Sequence, residues 1–145
     1  MKELQDRMKT VLATSFAFYL KAHNYHWNVE GQNFPEYHTF FGNLYEEVFA
    51  AIDPIAEQIR VLDTYAPGSF SRFKDLSSIM DETNVPSGVM MAKKLMEDNE
   101  KVIQDLTFAY TEAEKLKQLG LANFLQDRID IHKKHGWMLK SITKG

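Results

Sequence analysis

The chain has 145 residues, of which 44% are hydrophobic and 26% are charged, and this length and composition fit one globular domain and exclude a disordered or fibrous protein. It contains no cysteine, which excludes disulfides, zinc ribbons, iron–sulfur clusters and thiol nucleophiles, so any bound metal must be held by His, Asp or Glu. The 17 basic and 20 acidic residues give a net charge of −3, which offers no general attraction to nucleic acid or to an anionic membrane.

The N-terminal half predicts two long helices joined by a short turn. The first runs to about Asn28, and Gly31 and Pro35 then indicate a turn and a new helix start. The second helix has the same apolar spacing and ends before Pro67-Gly68. One face of the first helix carries apolar or small residues in steps of three and four: Leu4, Met8, Val11, Ser15, Tyr19, Ala22 and His26.

The C-terminal half predicts a long connection followed by two more helices. Residues 64–86 are turn-rich around a possible short helix from Arg72 to Met80. A third helix is expected from about Ser87, and Gly120 separates it from a fourth that ends near Thr143. We therefore predict an all-α protein with a single domain over residues 1–145, a ferritin-like four-helix bundle in which a long crossover with a short helix connects helices 2 and 3.

No segment of the sequence has the features of a membrane span or a signal peptide. The longest nearly apolar stretch, residues 11–20, is far shorter than the roughly 20 residues that cross a bilayer. The first ten residues alternate charges and lack the apolar core of a signal peptide. We expect a cytoplasmic protein without membrane contact.

Metal centres inside a ferritin-like bundle usually use Glu-x-x-His on two helices, because residues three apart lie on one face and can share a metal. The sequence does not contain this pattern. The residues three positions before its five histidines are Leu20, His23, Pro35, Ile129 and His132. We therefore expect no di-iron centre within a single bundle.

A different set of potential ligands lies on the first two helices. His26 ends the first helix, His38 begins the second, and Asp53 and Glu57 share one face further along it. The helix from His38 to Asp53 is about 22 Å long, too far for both residues to bind one metal in the same chain. If two copies of the second helix crossed antiparallel near Tyr45, His38 of one chain would face Asp53 of the other, in two symmetric sites. Imidazole with carboxylate suits iron, manganese or zinc.

A simpler interpretation of the two acids remains open from spacing alone. Asp53-Pro54 has the order of an N-cap followed by Pro at the first helical position, and Glu57 would then be a solvated surface acid. A capping box would place its acid at position 56, which is Ala56, so the cap accounts for Pro54 and not for Glu57.

Two runs of sequence are specific enough to indicate a family. Lys21 to Arg60 reads K-A-H-N-Y-H-W-N-V-E-G-Q-N-F-P-E-Y-H-T-F-F-G-N-L-Y-E-E-V-F-A-A-I-D-P-I-A-E-Q-I-R, and Lys134 to Leu139 reads K-H-G-W-M-L. The pattern H-W-N-V-x-G, then H, then D-x-x-A-E resembles the signature of the Dps family, the mini-ferritins named as DNA-binding proteins from starved cells. The resemblance implies a hollow homo-oligomer, a dodecamer with ferroxidase sites at two-fold interfaces. There iron(II) is oxidised by hydrogen peroxide or oxygen and stored as a ferric mineral.

The resemblance also implies roles for individual residues. His26 and His38 match the family's two His ligands, while Asp53 and Glu57 match the carboxylates that the neighbouring subunit contributes. These four are therefore the expected metal-binding and catalytic residues, with iron as the metal. Trp27 matches the aromatic residue beside the centre.

One position departs from the family pattern. The family usually has a further Asp one turn after the second His, where this chain has Gly42. The alternative is therefore a shell-forming or DNA-compacting Dps-like protein with weak or no ferroxidase activity. On this basis Gly42→Asp is expected to tighten the binding of the weaker iron. We expect DNA binding to be weak or absent, since the chain is acidic and has little basic tail.

The remaining polar residues favour structural interpretations. We expect His23 to be packed or hydrogen-bonded, and His132 and His135 to serve packing and subunit contacts. Glu46 and Glu47 are interpreted as solvated acids, with mineral nucleation in a cavity as the alternative.

Overall fold

A computed structural model describes residues 1–144 and contains five helices in that range. In chain order they are α1 (Lys2–Asn28), α2 (Phe34–Val61), α3 (Phe70–Leu76), α4 (Gly88–Lys115) and α5 (Leu119–Thr143). The described residues contain no strand, which confirms the all-α prediction. None of these helices is long and apolar enough to cross a membrane.

Side-chain contacts between α1 and α4 give the relative direction of these helices. The Thr14 hydroxyl donates to Asp105 at 2.8 Å, and the Lys21 amine donates to Asp98 at 2.6 Å. A later residue on α1 thus contacts an earlier residue on α4. The two helices therefore run antiparallel.

The helices α1 and α2 form an antiparallel hairpin. The Gln5 amide near the start of α1 donates to the Leu62 carbonyl after the end of α2, while His26 near the end of α1 contacts His38 near the start of α2. Because α1 is antiparallel to both, α2 and α4 run parallel to each other. This confirms the predicted bundle with a long crossover.

The core of the bundle combines the apolar faces of the four long helices. The crossover is attached to this core by Ser78, whose hydroxyl donates to Asp105 at 2.8 Å and whose amide donates to the Thr14 hydroxyl oxygen at 3.0 Å. The largest fully buried side chains include Phe18 and Tyr25 from α1, Phe41 and Ile55 from α2, Met91, Leu95 and Leu106 from α4, and Leu125 from α5.

The interpretation of Asp53-Pro54 as a helix cap is wrong, because both residues lie inside α2. Pro in a helix interior costs about 3 kcal/mol or more through a lost hydrogen bond and a steric conflict. Ile55 and Ile59, which follow it, are fully buried, and burial contributes about 1.5–3 kcal/mol for each such side chain. Tertiary packing of α2 therefore offsets the local preference to begin a helix at Pro54.

Two predicted boundaries also differ. The short helix starts at Phe70, where the Ser69 hydroxyl accepts from the Arg72 amide, and it ends at Leu76 because Ser77 is extended. Gly120 does not separate the last two helices, since it lies in the first turn of α5, and Lys117 with φ of 57° takes the left-handed position of the turn instead.

Candidate metal centre

A tight turn between α1 and α2 brings His26 and His38 together. After α1 ends at Asn28, Gly31 with φ of 92° and Asn33 with φ of 64° take the left-handed conformations that reverse the chain. The two imidazole rings stack with 3.8 Å between centroids and 16° between planes.

Each histidine of this pair donates a hydrogen bond to the main chain of the other. Nδ1 of His26 lies 2.7 Å from the carbonyl oxygen of His38, and Nδ1 of His38 lies 2.7 Å from the carbonyl oxygen of His26. A carbonyl only accepts, so Nδ1 carries the proton in both rings. When such a ring is neutral its lone pair is on Nε2, and orientation of a ligating His by a backbone carbonyl is typical of metal sites.

Aromatic side chains surround the pair. His23 stacks on Tyr45 with 3.7 Å between centroids and lies 3.9 Å from the ring centroid of Trp27. Its Nδ1 is 3.0 Å from the Tyr19 hydroxyl. Burial, with a smaller contribution from the neighbouring His26, lowers the pKa of His23. His23 is therefore packed and hydrogen-bonded as predicted, and Trp27 is exposed at the edge of this cluster.

The end of α1 is held in place by the residue before His26. Tyr25 is fully buried, and its hydroxyl donates to Glu82 in the crossover at 2.7 Å. Lys94 of α4 donates to the same carboxyl oxygen at 2.9 Å. The hydrogen bond from Lys94, with further bonds from Tyr25 and the Asn84 amide, outweighs burial and lowers the pKa of Glu82 to about 2. This ionised carboxylate links the C-terminal part of α1, the crossover and α4.

The predicted acidic ligands lie further along α2. Asp53 and Glu57 are both exposed and are four residues apart on one face of the helix. They are not brought to the histidines within the chain, and in residues 1–144 no three His, Asp or Glu side chains converge as a metal site. The Nε2 atoms, which make no hydrogen bond within residues 1–144, and the exposed carboxylates are suitable donors for iron, but the histidines and the acids lie at different places on the surface.

Gly42 directly faces the His26 ring. It is buried on α2, four residues after His38. A Cβ atom at this position would lie 3.0 Å from Nδ1 of His26 and 3.1 Å from Cε1 of the same ring. A side chain at position 42, as in Gly42→Asp, would therefore require the His26 imidazole to move by a few tenths of an ångström.

Comparison with known proteins shows the family to which the chain belongs. A profile of the family described as Ferritin-like domain matches residues 5–144. The DNA protection during starvation protein of Brevibacillus brevis is 30% identical over 92% of this chain and 89% of its own length. The chain belongs to the Dps family of ferritin-like proteins.

Two further proteins are similar to this chain. A low temperature-induced protein of a Nostoc species, described as uncharacterized, is 32% identical over 92% of this chain and 76% of its own length. The crystal structure of the Dps protein of Vibrio cholerae, described as a member of a broad superfamily of ferritin-like diiron-carboxylate proteins, superimposes with a TM-score of 0.92 at 26% identity. That comparison covers 97% of this chain and 88% of the Vibrio chain.

This Dps-family chain has a second histidine cluster, inside the bundle. Nδ1 of the fully buried His132 donates to Oδ1 of Asn99 at 2.8 Å, and Nδ2 of Asn99 donates to the His132 carbonyl at 2.7 Å. Nε2 of His132 accepts from Arg128 at 3.1 Å. Arg128 donates to both carboxyl oxygens of Glu47, at 2.5 and 3.2 Å, and Nε2 of His135 lies 2.7 Å from the same carboxyl.

The protonation states in this cluster follow from its contacts. Burial, with smaller contributions from the charges of Arg128 and His135, holds the pKa of His132 well below its usual value, so the ring is neutral. Burial opposes the ionisation of Glu47, but hydrogen bonds from His135 and Arg128 outweigh it and lower the pKa of Glu47 to about 2. The two histidines are packed as predicted.

The interpretation of Glu47 as a simply solvated acid is wrong, because its carboxylate is only 32% exposed and is paired with Arg128 and His135 of α5. Its main partner, Arg128, lies 81 residues away in the sequence, so no local pattern indicates the pair. Glu46, the residue before it, is exposed as expected.

Proposed function

We propose that the chain is an iron-storage and protection protein of the Dps type that oxidises iron(II), with hydrogen peroxide as the main oxidant, and keeps the ferric product inside a hollow dodecamer. The observation that carries this proposal is the histidine pair, in which both Nδ1 atoms are hydrogen-bonded to carbonyls and neither Nε2 atom is hydrogen-bonded within residues 1–144. Iron(II) is the substrate of the centre, and the four residues that act on it are His26, His38, Asp53 and Glu57.

The complete site is formed between two chains. His26 and His38 of one chain supply two neutral nitrogen ligands, and Asp53 and Glu57 of its two-fold partner supply two carboxylates. The partner is needed because, within one chain, about 22 Å of helix separates His38 from Asp53. A two-fold axis produces two such sites in each pair of chains.

The residues bind iron(II) and limit the products of its oxidation. Two iron(II) ions each lose one electron, and hydrogen peroxide accepts both electrons with two protons to give two molecules of water. The two carboxylates balance the charge of one iron(II) ion, so a second ion at the same site is held more weakly. Oxidation by pairs of electrons avoids release of hydroxyl radical, and this is the protective part of the function.

Iron oxidation with a radical probe tests the proposal. Anaerobic protein is given iron(II) and then hydrogen peroxide, while ferric absorbance and hydroxyl radical, detected by a spin trap, are recorded; a second arm uses oxygen. We expect the unmodified protein to consume about two iron(II) per peroxide with little radical. Protein in which Asp53→Asn and Glu57→Gln are combined should release radical as free iron(II) does.

A charge-matched control separates ligand loss from loss of negative charge. Glu97→Gln with Glu100→Gln removes the same charge from exposed positions on α4. These substitutions should leave stoichiometry and radical yield unchanged. Equal radical yield from the two double variants would contradict the assignment of Asp53 and Glu57.

The second candidate function is a shell-forming or DNA-compacting protein with little ferroxidase activity, and Gly42 in place of a carboxylate is the observation that favours it. The radical-probe assay, combined with light scattering, distinguishes the two candidates. The second candidate predicts a particle of shell size and as much hydroxyl radical as free iron(II) produces. The net charge of −3 per chain favours weak DNA binding, since contacts with phosphates dominate non-specific affinity. Tight complexes in a gel shift at physiological salt would support the second candidate.

A further inference from the structure

We propose that Gly42 is a positioning residue of the metal centre, because the space left by its missing side chain holds the His26 imidazole in its ligating orientation. The inference rests on the proposed metal-binding function of His26 and His38. It changes the interpretation of Gly42 from a lost acidic ligand to a necessary part of the histidine half of the site.

The contact distances define this space. A Cβ atom at Gly42 would lie 3.0 Å from Nδ1 and 3.1 Å from Cε1 of His26, which is closer than an ordinary van der Waals contact of about 3.5 Å. The two ring atoms concerned belong to the edge that carries the hydrogen bond to the His38 carbonyl. Any side chain at position 42 therefore presses on the edge of the ring that fixes its orientation.

Two contacts limit retreat of the His26 ring from position 42. Its Nδ1 is held by the 2.7 Å bond to the His38 carbonyl, and one face stacks on the His38 ring at 3.8 Å. The His38 ring is held in turn by its own 2.7 Å bond to the His26 carbonyl and lies against Phe34, with 5.1 Å between centroids. Displacement of one ring thus disturbs both Nδ1 bonds and, with them, the direction of both Nε2 atoms.

The helix itself gives no reason for a glycine at this position. Gly is among the least favourable residues in a helix interior, and the φ angle of Gly42 is not positive. The close approach of His26 is the feature of the structure that disfavours a Cβ atom here. This half of the centre is therefore built from two imidazoles and no carboxylate.

Binding of Co²⁺ to the assembled, full-length protein tests the proposal without relying on catalysis. Co²⁺ reports its ligands through visible absorption and does not react with oxygen under these conditions. We expect both Gly42→Ala and Gly42→Asp to weaken Co²⁺ binding by about tenfold or more, the range found when a group that orients a metal ligand is lost. The matched control is Gly120→Ala, because a Cβ at this helical glycine meets nothing within 4 Å.

The control protein should bind Co²⁺ as the unmodified protein does. Thermal unfolding of all variants, recorded without metal, identifies a variant that fails to fold. If Gly42→Ala does not fold, recovery of folding on adding His26→Ala supports the contact between the Cβ atom and the ring, and failure to recover overturns it. Tighter binding by Gly42→Asp, or unchanged binding by Gly42→Ala, would overturn the proposal.

A double-mutant cycle distinguishes positioning from a general structural effect. His26→Ala removes the ring that position 42 contacts, while His38 and the partner's acids still give weak, measurable binding. In that background Gly42→Ala should cause no further loss of Co²⁺ affinity. An equal tenfold loss with and without His26 would refute the positioning role. The proposed function fails separately if His26→Ala itself leaves Co²⁺ affinity unchanged.

Discussion

The two histidine clusters of this chain differ in which ring nitrogens are hydrogen-bonded. In the pair His26 and His38, each Nδ1 is bound to a carbonyl, and no group in residues 1–144 bonds to either Nε2. In the inner cluster, both nitrogens of His132 are bonded, to Asn99 and to Arg128. The same residue type therefore forms an incomplete ligand set in one place and a completed network in the other.

The two clusters also lie on different sides of α2. His38 and Glu47 are nine residues apart, which at about 100° per residue places them on opposite faces of the helix. Each cluster contains a glycine in close contact with it, Gly42 beside His26 and Gly136 beside Asn99. We infer that substitutions in the inner cluster change stability, while substitutions in the outer pair change metal binding.

The largest expected effect on stability comes from Glu47→Ala. Loss of this carboxylate leaves the buried Arg128 guanidinium without its ion pair, and removal of one partner of such a pair costs about 3 kcal/mol. The measurement is urea denaturation at matched protein concentration. Glu46→Ala removes an exposed acid from the neighbouring position and should change stability by about 0.5 kcal/mol or less. Equal effects of the two variants would show that the inner ion pair contributes nothing.

A smaller effect is expected in the pH dependence of stability. The pKa of His132 is lowered in the folded protein, so between that value and about 6.5 the unfolded chain binds the extra proton and stability rises with pH. His132→Gln should reduce the slope between pH 6.5 and 5 by up to about 1.4 kcal/mol per pH unit. His23, also with a lowered pKa, contributes in the same direction in both proteins.

The two ion-paired acids, Glu47 and Glu82, change the pH dependence of stability in a lower pH range. Glu47 and Glu82 have pKa values of about 2, so the stability they contribute is lost between about pH 4.5 and 2.

Identical slopes of stability against pH above pH 5 for the unmodified and His132→Gln proteins would contradict a neutral, buried His132.

The smallest effect is expected for Gly136→Ala. A Cβ atom here would lie 3.0 Å from Nδ2 of Asn99, and that amide makes two hydrogen bonds to His132 and is fully buried. Because the amide cannot move without lengthening both bonds, we expect a loss of about 1–2 kcal/mol, typical of an overpacked core. Co²⁺ affinity should be unchanged, in contrast to Gly42→Ala. A Gly136→Ala protein more stable than the unmodified protein would show that Asn99 can move without loss of stability.

Local sequence features predict the helices and part of the ligand geometry. The apolar spacing of residues such as Leu4, Met8 and Val11 predicts α1, and Ser87 caps α4 by accepting from the Met90 amide. These features lie within a few residues of the structure they predict, which explains why the sequence alone is enough to predict it. The separation of His38 from Asp53 likewise follows from helix geometry alone.

Features that depend on contacts between distant parts of the chain could not be predicted from local sequence. Asp53-Pro54 is typical of a cap, but burial of Ile55 against the bundle continues the helix. The pairing of Glu47 has no local signal, and the role of Gly42 depends on a ring from the preceding helix.

The most direct test of the shared, two-chain centre uses mixed oligomers. Chains with His26→Ala and His38→Ala are assembled with chains that carry Asp53→Ala and Glu57→Ala. Each parent lacks half of every site. In a random one-to-one mixture half of the two-fold pairs contain both chain types, and each such pair has one intact site of two. We expect about a quarter of the unmodified protein's iron oxidation rate. A mixture as inactive as its parents, while unmodified chains treated identically regain activity, would contradict the two-chain centre.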